Sequence, residues 1–177
     1  KACGMGQYND EGTATATTAC KVCAAGRYNR FSARTTERHC LYCTCGQWSP
    51  KGSTVCSECP KGTFHGCSAG APSCDGGLSL TSCTAATEGF KVATAGSCAQ
   101  TKCAPGKYQA APGSSVCVDC SGGTFSAAVG ASSVTTCETC PSGTYAATGS
   151  TECTACKAGK HNTHEGKSHI SHLLRLR

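Results

Sequence analysis

Cysteine is the residue in this chain whose abundance and spacing could do chemistry. Nineteen of the 177 residues are cysteines. Twelve of them form six C-x-x-C pairs, Cys20/Cys23, Cys40/Cys43, Cys56/Cys59, Cys117/Cys120, Cys137/Cys140 and Cys153/Cys156. Thiols so placed serve three ends. Thiolates suit tetrahedral zinc, and Cys20/Cys23 with Cys40/Cys43 have ribbon-like spacing. A redox-active pair of the thioredoxin kind instead opens a helix after a buried strand, and no such strand precedes any pair. The third end is a permanent structural bridge. It is favoured because the pairs run on into C-x-x-G-x-aromatic, a continuation that neither metal binding nor redox cycling requires.

Other reactive groups give less. Four of the six histidines fall near the end of the chain, as His161-x-x-His164 and His169-x-x-His172. On a helix each such pair would share a face and could hold a transition metal, but a solvated terminus is the plainer reading. No metal site and no cofactor is expected. Acidic residues are scattered singly, and neither G-x-S-x-G nor H-E-x-x-H occurs. An enzyme would also need a preorganised, water-excluding pocket, which very small units cannot enclose. The expectation is a non-enzymatic chain with no catalytic residue.

The elements that position the cysteines are repeats. Residues 137–156, CETCPSGTYAATGSTECTAC, carry the pattern in full. Copies are Cys3-Gly6-Tyr8, Cys23-Gly26-Tyr28, Cys43-Gly46-Trp48, Cys59-Gly62-Phe64, Cys103-Gly106-Tyr108, Cys120-Gly123-Phe125, Cys140-Gly143-Tyr145 and a degenerate Cys156-Gly159-His161. A period of about twenty residues signals an array of units that stack on their neighbours. Leu, Ile, Val and Phe together number 18, a tenth of the chain and below the ~20% under which a hydrophobic core becomes doubtful. Disulfides must therefore replace burial. Threonine-rich alternation such as TATATT suits short hairpin arms, and nothing of length has helical periodicity. The fold expected is a set of small disulfide-rich repeats: an elongated array of short, irregular, hairpin-like β modules with little regular secondary structure. Each aromatic would be the miniature core of its unit. The chain divides into repeats over 1–65, an irregular insertion or diverged repeat over 66–102, repeats again over 103–156, and a basic, His-rich tail over 157–177.

CPSGTYAATGSTECTAC (Cys140–Cys156) and CSGGTF…CETC (Cys120–Cys140) resemble the ephrin-receptor-like cysteine-rich repeat and are similar to the first module of tumour necrosis factor receptor repeats. The resemblance covers about three quarters of the chain. It implies an extracellular rod of stacked modules, of a kind also found in surface and secreted proteins of protists and algae. The crossed second module of the receptor repeats is missing here, so cytokine binding does not carry over. Spacing alone does not choose among connectivities. The repeat does so if the second cysteine of each C-x-x-C opens a unit and bridges to the first of the following pair, and the resemblance implies the same. The bridges are then Cys3–Cys20, Cys23–Cys40, Cys43–Cys56, Cys103–Cys117, Cys120–Cys137 and Cys140–Cys153. The irregular middle offers Cys59–Cys74, Cys83–Cys98 and, by elimination, Cys45–Cys67. Cys156 is left unpaired.

Disulfides at this density persist in oxidising surroundings, which points to the cell exterior, the cell surface or the secretory pathway. The chain opens at Lys1 without a methionine, which suits a processed product or a fragment. No apolar run of 18 residues exists to span a membrane, and Asn9, Asn29 and Asn162 all fail the N-x-[ST] rule. The net charge of +6 is concentrated in residues 157–177, which hold +4, leaving +2 with signs mixed along the array. That leaves no footprint for nucleic acid. The tail residues Ile170, Leu173 and Leu174, with Arg175 and Arg177, have the spacing of a short docking helix. The function these features suggest is a structural or adhesive segment of a cell-surface or filament assembly, in contact with other protein chains or copies of itself. The alternative is a receptor ectodomain with its ligand site at 66–102, and a metal-binding cysteine protein is a minority reading.

Overall fold

The computed structural model describes residues 2–10, 20–66, 82–157, 160–161, 164–168 and 174–175. Nine antiparallel pairs of two-residue strands follow one another among them. Gln7–Tyr8 (β1) pairs with Lys21–Val22 (β2), Arg27–Tyr28 (β3) with Leu41–Tyr42 (β4), and Gln47–Trp48 (β5) with Ser57–Glu58 (β6). Thr63–Phe64 (β7) pairs with Thr84–Ala85 (β8), Phe90–Lys91 (β9) with Thr101–Lys102 (β10), and Lys107–Tyr108 (β11) with Val118–Asp119 (β12). Thr124–Phe125 (β13) pairs with Glu138–Thr139 (β14), Thr144–Tyr145 (β15) with Thr154–Ala155 (β16), and Lys160–His161 (β17) with Leu174–Arg175 (β18). The chain is a disulfide-rich array of small β-hairpin modules, as the repeat predicts.

The motif explains each module. The glycine ends a tight turn, the two residues after it form the first strand, and the two residues between the cysteines of C-x-x-C form the second. The next opening cysteine then closes the hairpin, its N–H donating to the glycine carbonyl at 2.9 Å from Cys23 to Gly6 and 2.8 Å from Cys120 to Gly106. Two residues per strand make a hairpin too short to stand alone. Bridge and neighbours must do the rest.

The modules fall into two compact units, Lys1–Ala85 with Val92–Gln100, and Ala86–Lys91 with Thr101–Arg177. Within each, one set of backbone hydrogen bonds ties a module to the next. In the first unit Gly52 N–H donates to Cys23 O at 2.9 Å, Gly26 N–H to Ser49 O at 2.8 Å and Asn29 N–H to Ser53 O at 3.1 Å. In the second, Gly130 donates to Cys103 O at 2.8 Å, Gly106 to Ser126 O at 2.7 Å and Gln109 to Ala131 O at 2.9 Å. Groups that longer strands would satisfy are thus paired between modules.

Packing also reaches the module after next. Gly106, at φ 78°, lies so close to Gly149 that a Cβ there would stand 2.7 Å from the Gly149 carbonyl carbon and nearer still to its oxygen. Gly46 meets Gly96 in the same way. One turn breaks the glycine rule: Ala33, at φ 57°, occupies the place that Gly52 and Gly130 hold in other modules, and its N–H donates to Cys3 O at 2.8 Å.

Eight of the twelve buried apolar residues among those described are cysteines. Cys3, Cys23, Cys43, Cys59, Cys103, Cys120 and Cys140 are buried, together with the residue six places after an opening cysteine: Asn29, Ser49, Gln109, Ser126 and Ala146. The aromatics Tyr8, Tyr28, Trp48, Phe64, Tyr108, Phe125 and Tyr145, expected as miniature cores, are only half-buried. Polar residues at the sixth place are accommodated because they serve the ladder. The Asn29 amide donates to Gln7 O at 2.9 Å and accepts from Phe31 N–H at 3.0 Å, while Ser49 Oγ donates to Arg27 O at 3.0 Å.

The structure joins Cys3–Cys20, Cys23–Cys40, Cys43–Cys56, Cys103–Cys117, Cys120–Cys137 and Cys140–Cys153. Cys20, Cys23, Cys40 and Cys43, the ribbon-like set, are all consumed in these bridges. The irregular middle corrects the expected pairing. Cys59 bonds Cys83, not Cys74, and Cys45 bonds Cys98, so neither Cys45–Cys67 nor Cys83–Cys98 forms. Cys67 and Cys74 lie outside the described residues. The cause is a module that lacks both of its repeat cysteines. Ala86 and Gln100 stand in the opening and closing places around β9 and β10, so residues expected as an insertion include a regular hairpin. Cys83 is then the closing cysteine of the module opened by Cys59. Cys98 belongs to no repeat position, and the approach of Gly46 to Gly96 carries its neighbourhood to Cys45.

The tail also departs from expectation. Leu174 and Arg175, assigned to a docking helix, form strand β18 opposite β17. Ile170, Leu173 and Arg177 lie outside the described residues. Cys156 opens this last hairpin as a half-exposed free thiol.

Candidate functional site

Of the chemically capable residues, sixteen of the seventeen described cysteines are spent on disulfides, and Cys156 is a free thiol. His161 sits in strand β17 and His164 is exposed, while His169 and His172 lie outside the described residues. Among the described residues no cluster of three or more His, Cys, Asp or Glu could hold a metal ion, and no helix is long and apolar enough to cross a membrane.

The most distinctive chemistry lies on the second module. Before the tail the chain has only four arginines, Arg27, Arg30, Arg34 and Arg38, and all lie between Cys23 and Cys40. With Glu37 as the one acid there, the segment carries +3, so the other residues before the tail sum to −1. Charge that is mixed along the array as a whole is concentrated on one module.

The local fold gives these side chains a fixed arrangement. Arg27 lies on β3 directly across from Tyr42 on β4, and its guanidinium stacks over the phenol ring with Cζ 4.0 Å from the centroid. Nη1 donates to Glu37 Oε1 at 3.0 Å and Nη2 donates to the Tyr42 hydroxyl. Glu37 is brought within reach by the 3-10 turn Glu37–His39. In the sixth module the same register sets Lys107 across from Asp119, and these two form an ion pair. Tyr42 replaces that carboxylate in the second module, and Arg27 takes its anion from the turn.

The other arginines line the same module. The Arg34 guanidinium sits 4.6 Å from the Phe31 ring centroid, and its buried Nε has no hydrogen-bond partner among the described residues. Arg30 lies 5.7 Å from Phe31 and 6.0 Å from Tyr28. Apolar surface is interleaved with this charge, since Phe31 is 51% exposed, Leu41 47% and Tyr42 41%. Two shallow hollows open here. One of about 330 Å³ is lined by Arg27, Glu37, Arg38, Leu41 and Tyr42, the other of about 230 Å³ by Tyr28, Arg30, Gln47 and Val55.

Chemically, the two clusters of this module, Arg27 with Tyr42 and Arg30 and Arg34 with Phe31, can each bind and orient an anion beside an apolar ring. Guanidinium presents a planar fork of donors that matches carboxylate, and stacking on aromatic rings limits the entropy it loses on binding. The net-charge balance hid the face; the restriction of arginine, as opposed to lysine, to one module is the sequence signal that shows it.

No protein-family model and no curated protein matches the chain. The class is defined by architecture alone: a disulfide-stapled array of hairpin modules, a build that suits an extracellular or secretory setting.

Proposed function

We propose that the chain is a non-enzymatic structural or adhesive segment of an extracellular assembly, and that its modules are of the ephrin-receptor-like kind. The observation that carries this reading is the repeated exposure of the second strand. Both residues of β4, β6, β8, β10, β12, β14 and β16 face solvent. Each of these seven modules thus offers neighbouring chains the same accessible strip on a covalently held support. Immunogold labelling of unpermeabilised cells tests it: label on the outer surface or matrix is expected, and label confined to cytosol, with reduced cysteines, would overturn it. One observation favours a second reading, a receptor ectodomain. Arginine and exposed aromatic side chains are gathered on a single module, as a compact site for one protein ligand would require.

A further inference from the structure

We infer that the arginine and aromatic face of the second module docks an acidic protein segment that carries an apolar side chain among its carboxylates. This rests on the reading that the chain contacts other proteins, and it names the chemistry of that partner.

Three features of the face select such a ligand. The first is charge: four guanidiniums stand against a single carboxylate, Glu37, which pairs with Arg27, and Arg30 and Arg38 are exposed, with no ion pair among the described residues. The second is an internal stand-in. Glu37 already places a carboxylate against Arg27 at 3.0 Å, which shows the ligand group this surface accepts. The third is apolar. Phe31, Leu41 and Tyr42 lie exposed among the arginines, and covering them takes a side chain that a sulfated polysaccharide does not have. Arginine and aromatic residues together are also the usual composition of interface hot spots.

The test uses the full chain with its disulfides intact and a phage-displayed library of random peptides about twelve residues long. Enriched peptides should combine several Asp or Glu with a Leu, Phe or Tyr. In fluorescence anisotropy their affinity should fall at least about ten-fold when NaCl rises from about 50 to about 500 mM, because exposed charges are screened. Arg30→Glu with Arg38→Glu should weaken binding by about ten-fold or more, whereas Lys91→Glu with Lys102→Glu, an equal charge change elsewhere, should alter it less than about two-fold. Phe31→Ser should also weaken it. Glu37→Gln should tighten it about two- to five-fold by removing the internal competitor for Arg27.

Four results would overturn the inference. These are no enrichment; enriched peptides without acids; heparin oligosaccharide binding through these arginines while acidic peptides do not; and a dimer in size exclusion that Arg30→Glu with Arg38→Glu abolishes, which would make a second copy the occupant. An unchanged free-thiol count shows that each variant keeps its fold. Binding is measured on oxidised protein, so its failure leaves the immunogold result, and with it the wider functional reading, standing.

Discussion

Cys45–Cys98 is the bridge least like the others, because it joins alternate modules across a separation of 53 residues. Replacing both cysteines with alanine tests the n to n+2 packing directly. Loop-closure entropy for a 53-residue loop corresponds to about 4 kcal/mol. Cys59–Cys83 lies inside that loop, however, and short-circuits it. Cys43–Cys56 short-circuits it again, so the free path runs from Cys45 through Cys43–Cys56 to Cys59 and from Cys83 to Cys98, about 20 residues, for which the same relation gives about 3.3 kcal/mol. Urea unfolding followed by the fluorescence of Trp48, the single tryptophan and three residues from Cys45, reads the loss in this region. A midpoint shift worth about 2–4 kcal/mol is expected, because engineered losses often fall short of the entropy figure. A loss under about 1 kcal/mol would refute the reasoning. Cys45→Ala alone must release one new thiol, at Cys98; alkylation at Cys67 in its place would restore the connection the sequence suggested.

Four further predictions follow from the backbone. Gly106→Ala should cost more than about 2 kcal/mol, because it combines a left-handed φ with a collision against Gly149. Gly143→Ala, at φ 82° with no described residue within 4 Å of the new Cβ, should lose only the conformational part, about 1 kcal/mol, in the same denaturation assay. Ala33→Gly should stabilise by about 0.5–1 kcal/mol, since relief of the left-handed strain outweighs the added unfolded-state entropy. Asn29→Ala removes two part-buried hydrogen bonds and should cost about 1–2 kcal/mol, visible as faster hydrogen exchange at Phe31 and its neighbours.

Much of the fold was readable because the module announces itself in covalent terms. Cysteine, glycine and aromatic recur in register, so the opening cysteine and the turn of most modules could be placed by residue number, whereas the two residues between paired cysteines gave no sign of being the second strand. The middle was misread for one reason: Ala86 and Gln100 replace the two cysteines by which modules were recognised. Glycine spacing keeps the record that cysteine lost. Gly89 and Gly96 lie seven residues apart, as do Gly106 and Gly113, and Gly123 and Gly130. The buried sixth position was invisible for a different reason. Asn29, Ser49 and Gln109 look like loop residues, and only the ladder between modules makes them interior. The candidate site was legible in its residues but not in its arrangement, because Arg27 meets Tyr42 and Glu37 only through hairpin register and a 3-10 turn.

The account depends on sulfur taking the place of an apolar interior. The most direct test is disulfide mapping of the unreduced protein by peptide mass spectrometry after alkylation of free thiols. Linked peptides are expected for Cys3–Cys20, Cys23–Cys40, Cys43–Cys56, Cys45–Cys98, Cys59–Cys83, Cys103–Cys117, Cys120–Cys137 and Cys140–Cys153, with Cys156 alkylated. Alkylation spread across the repeat cysteines, or a Cys59–Cys74 link in place of Cys59–Cys83, would contradict it.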